Sequence, residues 1–137
     1  MPKVTLSTEL PASAGSVWNL IGGFNALPDW HSAISKSELS DDGFKRTLHI
    51  VGGGSIIDQL ETTGEGHSYS YSVLRNLLPV PNHSGTIAVK PNADGSGCML
   101  EWSGDFQALD IPDNEPIRTI QGIYQLGLDN LSRLFGV

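Results

Sequence analysis

A chain of 137 residues has the size of one domain, 1–137, because domains commonly run to about 100–150 residues. Hydrophobic content of 39% against 17% charged residues excludes a disordered chain, and a core can form at this length without disulfide or metal staples. Fifteen acidic residues against 8 basic ones give a net charge of -7 that no Lys/Arg cluster interrupts, which excludes nucleic acid and disfavours anionic membrane surfaces.

Lys3 to Leu10 alternates Val4, Leu6 and Thr8 with polar neighbours, which predicts a strand stopped at Pro11. Ser13 supplies an N-cap for a short helix carrying Val17, Trp18, Leu20, Ile21 and Phe24, interrupted by Gly22 and Gly23. A second helical turn is expected around Asn25 to Asp29. From Ser32 to Phe106 the chain reads as strand. Turn residues punctuate it at Asp41-Asp42-Gly43, Gly52-Gly53-Gly54, Gly64-Glu65-Gly66, Leu78-Pro79-Val80-Pro81 and Asn92 to Gly97. Those turns imply six consecutive strands. Glu115 to Phe135 then changes period, with Ile117, Ile120, Ile123, Tyr124, Leu126, Gly127, Leu128, Leu131 and Leu134 at spacings of three and four. This is a long amphipathic helix with Pro112 and Pro116 at its mouth. The order predicts an α+β fold, an antiparallel meander with its helices on one face.

Cys98 is the only cysteine, so no intrachain disulfide forms and a cytoplasmic location is expected. The N-terminus lacks an apolar signal core, and no apolar stretch approaches the roughly 18 residues of a spanning helix. His31, His49, His67 and His83 lack tight ligand spacing, so no metal is expected. Gly52-Gly53-Gly54-Ser55 precedes no helix, which removes the mechanism of a phosphate loop, and no G-x-S-x-G elbow exists. The triple glycine predicts a mobile hairpin, since glycine tolerates positive φ.

Eight strings occur in a telling order: Val17-Trp18 with Phe24, LPDWH at 27–31, FKRTL at 44–48, IDQL at 57–60, YSYSV at 69–73, LPVPN at 78–82, LEWSGDF at 100–106 and YQLGLDNL at 124–131. Together, over nearly the whole chain, they resemble the polyketide cyclase/dehydrase-like branch of the START/SRPBCC superfamily. That branch is similar to plant abscisic acid receptors and lachrymatory factor synthase. The resemblance implies the helix-grip fold, a curved seven-stranded antiparallel sheet around a long C-terminal helix, with two short helices after the first strand and a cavity inside. It does not extend to a hormone receptor. Those receptors carry a longer Ser-Gly-Leu-Pro-Ala gate where this chain has Gly52 to Ser55, and their His-Arg-Leu latch is replaced near Leu78 to Pro81.

Successive strand residues point to opposite faces, so parity assigns the cavity face. Turning Leu48 and Ile50 inward turns Arg46 inward and leaves Lys45, Thr47 and His49 outside. The same counting groups Ile56, Asp58, Leu60 and Thr62; Tyr69, Tyr71 and Val73; His83, Gly85, Ile87 and Val89; and Met99, Glu101, Ser103 and Asp105. The resemblance implies the same phase: positions matching Asp58, Tyr71, His83 and Glu101 line the receptor cavity, and the synthase uses an arginine and an acid that match Arg46 and Asp58. Ile123 and Gly127 match positions that floor the pocket in relatives.

The expected catalytic constellation is therefore Arg46, Asp58, His83 and Glu101. The expected ligand wall takes Trp30, Leu48, Leu60, Tyr69, Tyr71, Gly85, Ser103, Ile123 and Gly127. A carboxylate beside an imidazole in a partly dry cavity acts as general acid or base on a carbonyl compound, and Arg46 holds a carboxylate, phenolate or enolate. Plainer readings stay open beside this one. Arg46 and Asp58 also suit a cross-strand ion pair, a bulge would exchange Glu101 for Trp102, and Gly127 makes room for either a neighbouring strand or a ligand. The function expected is binding of a small hydrophobic, aromatic or polyketide-like ligand, with cyclase, dehydratase or isomerase chemistry that requires no cofactor. The alternatives are a non-catalytic carrier or sensor, and an accessory protein or homodimer that meets its partner through the Gly52 to Ser55 and Leu78 to Pro81 loops.

Overall fold

The computed structural model describes residues 3–64, 67–75, 83–93, 96–106 and 115–136, without the side chains of 64, 75, 115–117 and 119. Its elements run β1 (Lys3–Leu10), α1 (Ala14–Ile21), α2 (Leu27–Trp30), β2 (Ile34–Leu39), β3 (Lys45–Ile50), β4 (Ser55–Gly64), β5 (Ser68–Arg75), β6 (Ser84–Pro91), β7 (Cys98–Asp105) and α3 (Glu115–Leu134). The order is the expected one. The turn at Leu78 to Pro81 and the proline at 112 lie outside the described residues, as do parts of the turns at 64–66 and 92–97.

Local chemistry explains the boundaries. Ser13 is extended and its Oγ accepts from the Ser16 N–H at 3.2 Å, which caps α1. Gly22 ends that helix because the Trp18 indole folds back over it, where a Cβ would sit 2.5 Å from the ring. Gly52, Gly53 and Gly54 all carry positive φ, and the Gly53 N–H bonds the Ile50 carbonyl at 3.0 Å to make the β3–β4 turn.

The seven strands form one antiparallel sheet ordered β1-β7-β6-β5-β4-β3-β2. Register shifts at Ile34/Lys36, Ile57/Asp58 and Leu60/Thr62 insert bulges that bend their strands and curl the sheet into a half-barrel. Helix α3 lies in the curl and buries Ile120, Tyr124, Leu128 and Leu131. Leu126 and Leu134 are about half exposed, so the apolar face of α3 is narrower than the periodicity suggested. This is the helix-grip arrangement. Among the described residues no helix is long and apolar enough to cross a membrane.

Candidate functional site

The phase of β3 turns Arg46 and Leu48 inward, with only 1% and 3% of their surface exposed. Register places Asp58 of β4 directly opposite Arg46, and the guanidinium Nε donates to Asp58 Oδ2 at 2.9 Å. Nη1 donates to the Phe24 carbonyl at 2.6 Å and to Tyr69 Oη at 3.2 Å. The break after α1 is what delivers that carbonyl, and it also lays the Phe24 ring 4.3 Å from the guanidinium carbon. Burial works against the Arg46 charge, but the surrounding Tyr69, Asp58 and Tyr71 oxygens outweigh it and keep the group protonated. Burial pushes the Asp58 carboxyl above the usual carboxylate range, and the guanidinium only partly offsets this. Asp58 Oδ1 is buried and accepts from no donor among the described residues.

This pair stands at one wall of a hollow between the sheet and α3, about 50 Å³ in volume. Leu27, Ile34, Leu48, Ile56, Val73, Ile120 and Ile123 make most of the lining, and His31, Arg46, Asp58, Tyr71, His83, Trp102 and Tyr124 supply its polar atoms. A water needs about 15 Å³ on this measure, whereas pockets for drug-sized ligands run to about 300–1,000 Å³. A ligand larger than a few waters therefore enters only as lining side chains yield.

An aromatic shelf forms one side. Trp102 stacks on Tyr124 with centroids 4.1 Å apart, and its Nε1 donates to Tyr71 Oη at 3.0 Å. The Tyr71 phenol lies where a Gly85 side chain would be, and the Tyr124 hydroxyl occupies the same kind of space above Gly104. The two glycines are what admit the two phenols. Burial pushes both phenol pKa values up, so both stay neutral. The Tyr71 hydroxyl approaches that of Tyr124 and opposes the rise in its pKa, yet the Tyr124 hydroxyl completes no hydrogen bond of ordinary geometry among the described residues. His83 presents its ring edge to Phe106, and burial lowers its pKa against the opposing pull of Asp105.

His31 was not among the expected site residues. It is 1% exposed, its Nδ1 accepts from the Ala33 N–H at 3.1 Å, and its Nε2 therefore carries the proton donated to the Ile123 carbonyl at 2.8 Å. Burial lowers its pKa, with the Ile123 carbonyl opposing. The sign of the pH effect follows. Between the folded pKa values of His31 and His83 and the ordinary 6.5, the unfolded chain binds more protons at these two groups, so their contribution to stability falls as pH drops below about 6.5, while the raised Asp58 carboxyl contributes with the opposite sign. Urea unfolding from pH 7.5 to 5.5 isolates the share of His31: stability should fall less on acidification in His31→Gln than in the wild type, and an unchanged pH dependence in that variant would remove His31 as a contributor.

Of the expected constellation, the structure brings Arg46, Asp58 and His83 together on the hollow, with Leu48, Tyr71 and Ile123 from the expected wall. Glu101 and Ser103 are not there. Strand β7 turns Cys98, Leu100, Trp102 and Gly104 inward, so Glu101 is exposed on the outer face. No bulge is involved: the strand takes the opposite phase, which flips every side chain, and β1 pairs with it in unbroken register. Glu101→Gln should accordingly change stability by less than about 0.5 kcal/mol in urea titrations and leave ligand binding intact.

Tyr69 lies behind the wall, beneath Arg46. Leu60 is half-buried beside the Leu60/Thr62 bulge and does not reach the hollow. Trp30 is a core residue packed between His31 and Trp102. Gly85 is covered by Tyr71, and Gly127 by His31 and Trp30, so the room Gly127 makes is filled by α2 and the residue that follows it. The uniform burial of alternate apolar residues at Leu100 and Trp102 was a signal for the phase of β7. Tyr124 follows from Ile120 at one helical turn. Nothing in the local pattern marks His31.

Among the described residues no three His, Cys, Asp or Glu side chains gather as a metal site needs. Of the two loops expected to meet a partner, the triple-glycine hairpin is described and stands exposed beside Val51; the other lies outside the described residues.

A curled seven-stranded sheet gripping a long helix around a hollow is the helix-grip architecture of a ligand-cavity fold. The chain belongs to the polyketide cyclase/dehydrase and lipid transport family, whose pattern matches residues 1–136. It is similar to the protein XoxI of Bacillus cereus, with 39% identity over 98% of this chain and 96% of that one and a TM-score of 0.93. A crystal structure of a Bacillus thuringiensis protein is similar at 38% identity over 98% of both chains, TM-score 0.92. A START superfamily protein from Mycobacterium smegmatis, 16% identical over 97% of this chain and 96% of its own, shares the fold with a TM-score of 0.78. No curated protein matches the chain.

Proposed function

We propose that the protein, acting as one domain, takes a small and mostly apolar molecule into the hollow and holds its polar group at the Arg46–Asp58 end. One observation carries this reading: a buried ion pair whose second carboxylate oxygen has no donor among the described residues stands on the wall of a mostly apolar hollow. Binding sites for small molecules combine apolar walls with a few convergent polar groups in this way. The shelf of Tyr71, Trp102 and Tyr124 suits a flat or aromatic, polyketide-like ligand. A lone cysteine suits a reducing compartment, and we place the protein in the cytoplasm.

A ligand that binds only the folded chain stabilises it by about 2.7 kcal/mol at a hundredfold excess over Kd. Thermal unfolding across a metabolite set is expected to reveal such a compound. Ile123→Trp, which fills the hollow and leaves the ion pair, should abolish the shift. No shift with any compound, and no ligand retained in native mass spectrometry, would instead favour an accessory role through the loops.

One observation favours chemistry as a second reading. Burial raises the pKa of the Asp58 carboxylate, so it takes up a proton more readily than an ordinary one, while burial keeps His83 as its neutral base, and both face the hollow. Such a pair can exchange protons with a carbonyl compound. Full turnover of a candidate ketone by both Asp58→Asn and His83→Ala would eliminate it.

A further inference from the structure

Resting on that reading of the hollow, we propose that its polar end selects a neutral hydroxyl head group, an alcohol or phenol, and rejects a carboxylate. A buried arginine in a ligand cavity ordinarily invites an anion. Here the charge is already matched. Nε is committed to Asp58 Oδ2, Nη1 to the Phe24 carbonyl and Tyr69 Oη, and the Phe24 ring covers the guanidinium at 4.3 Å. Arg46 and Asp58 form a unit of zero net charge that offers an incoming anion no counter-charge. His31 and His83, the two imidazoles on the wall, supply none either at pH 8: both ring nitrogens of His31 are engaged, and burial holds both rings in their neutral form.

What the site lacks is of a different kind. Asp58 Oδ1 is a buried acceptor without a donor among the described residues, and Tyr124 Oη is a buried hydroxyl that completes no ordinary hydrogen bond there. Both residues line the hollow. A ligand hydroxyl both donates and accepts, so it satisfies Oδ1 with its proton and takes the Tyr124 proton on its oxygen. A carboxylate only accepts. It would leave Oδ1 unsatisfied and set a second negative charge beside it where water is scarce. The remaining wall of Leu27, Ile34, Leu48, Ile56, Val73 and Ile123 fits an apolar body.

The test pairs probes with the same apolar body at pH 8: isobutanol against isobutyrate, and benzyl alcohol against benzoate, each titrated while the methyl signals of Ile120 and Ile123 are followed by NMR. Each alcohol is expected to bind at least about tenfold tighter than its carboxylate, since like charges placed together across an interface are strongly disfavoured. Carboxylates binding equally well or better would overturn the proposal and leave the binding reading standing. No binding by any of the four probes would overturn both.

Asp58→Asn removes the compensating charge, so benzoate should gain at least about tenfold over the wild type; an unchanged preference for the alcohol would count against the charge argument. Tyr124→Phe keeps the ion pair and the ring that stacks on Trp102. It should weaken benzyl alcohol about fivefold while leaving toluene unaffected, and undiminished alcohol binding would overturn the role given to its hydroxyl.

Discussion

Arg46→Met is expected to destabilise the protein by about 3–5 kcal/mol, measured by urea unfolding at pH 7. The side chains of the pair are 1% and 3% exposed, so solvent screening gives little relief. Removing the guanidinium leaves Asp58 buried without a cation and strips the Phe24 carbonyl and Tyr69 hydroxyl of their donor. The double variant Arg46→Met/Asp58→Leu should recover most of that loss, because apolar groups of similar volume often replace a buried ion pair without penalty. It should at the same time lose ligand recognition, since the hollow then has no polar end. Stability recovered together with binding lost would separate two roles that a single substitution confounds. A loss below about 1 kcal/mol in Arg46→Met would mean that the pair is hydrated in solution and cannot act as described.

The fold was legible because its signals are local. Alternation over Lys3 to Leu10, glycines at Gly43 and Gly52 to Gly54 that take positive φ, and a three-four period after Glu115 each mark an element without reference to the rest of the chain. The Arg46–Asp58 pair was legible for a related reason. Leu48 and Ile50 set the phase of β3, and a short glycine turn sets the register that puts Asp58 opposite. Strand β7 was read in the wrong phase: counting put Met99, Glu101 and Ser103 inward, a phase the resemblance also implied, although the bulky apolar Leu100 and Trp102 stood on the other parity. His31 was out of reach for a deeper reason. Its role depends on residues more than 90 positions away, the Ile123 carbonyl and the bare backbone at Gly127, and no spacing in the sequence encodes that approach.

That approach makes Gly127 the most informative position on α3. Helix propensity alone says that Gly127→Ala should stabilise the protein by about 1 kcal/mol. Packing says the reverse. An alanine Cβ would lie 2.5 Å from His31 Cδ2, 2.9 Å from Nε2 and 3.1 Å from the Trp30 ring. Neither neighbour can swing aside cheaply, because His31 is pinned at both nitrogens and the Trp30 indole is fully buried against Trp102, with ring centroids 5.5 Å apart. Overpacking of this kind costs about 1–3 kcal/mol and outweighs the propensity gain, so a net loss is expected in urea unfolding. Gly122, on the same helix and exposed with nothing within 4 Å of a Cβ, provides the control: Gly122→Ala should raise stability by about 1 kcal/mol. Opposite signs for two identical substitutions on one helix isolate the packing term. Adding His31→Ala to Gly127→Ala empties the space the new methyl needs, so the pair should be less damaging than the sum of the two singles, as expected for residues in contact. Strict additivity would mean that the imidazole does not sit over Gly127, and the wall that His31 contributes to the hollow would have to be redrawn.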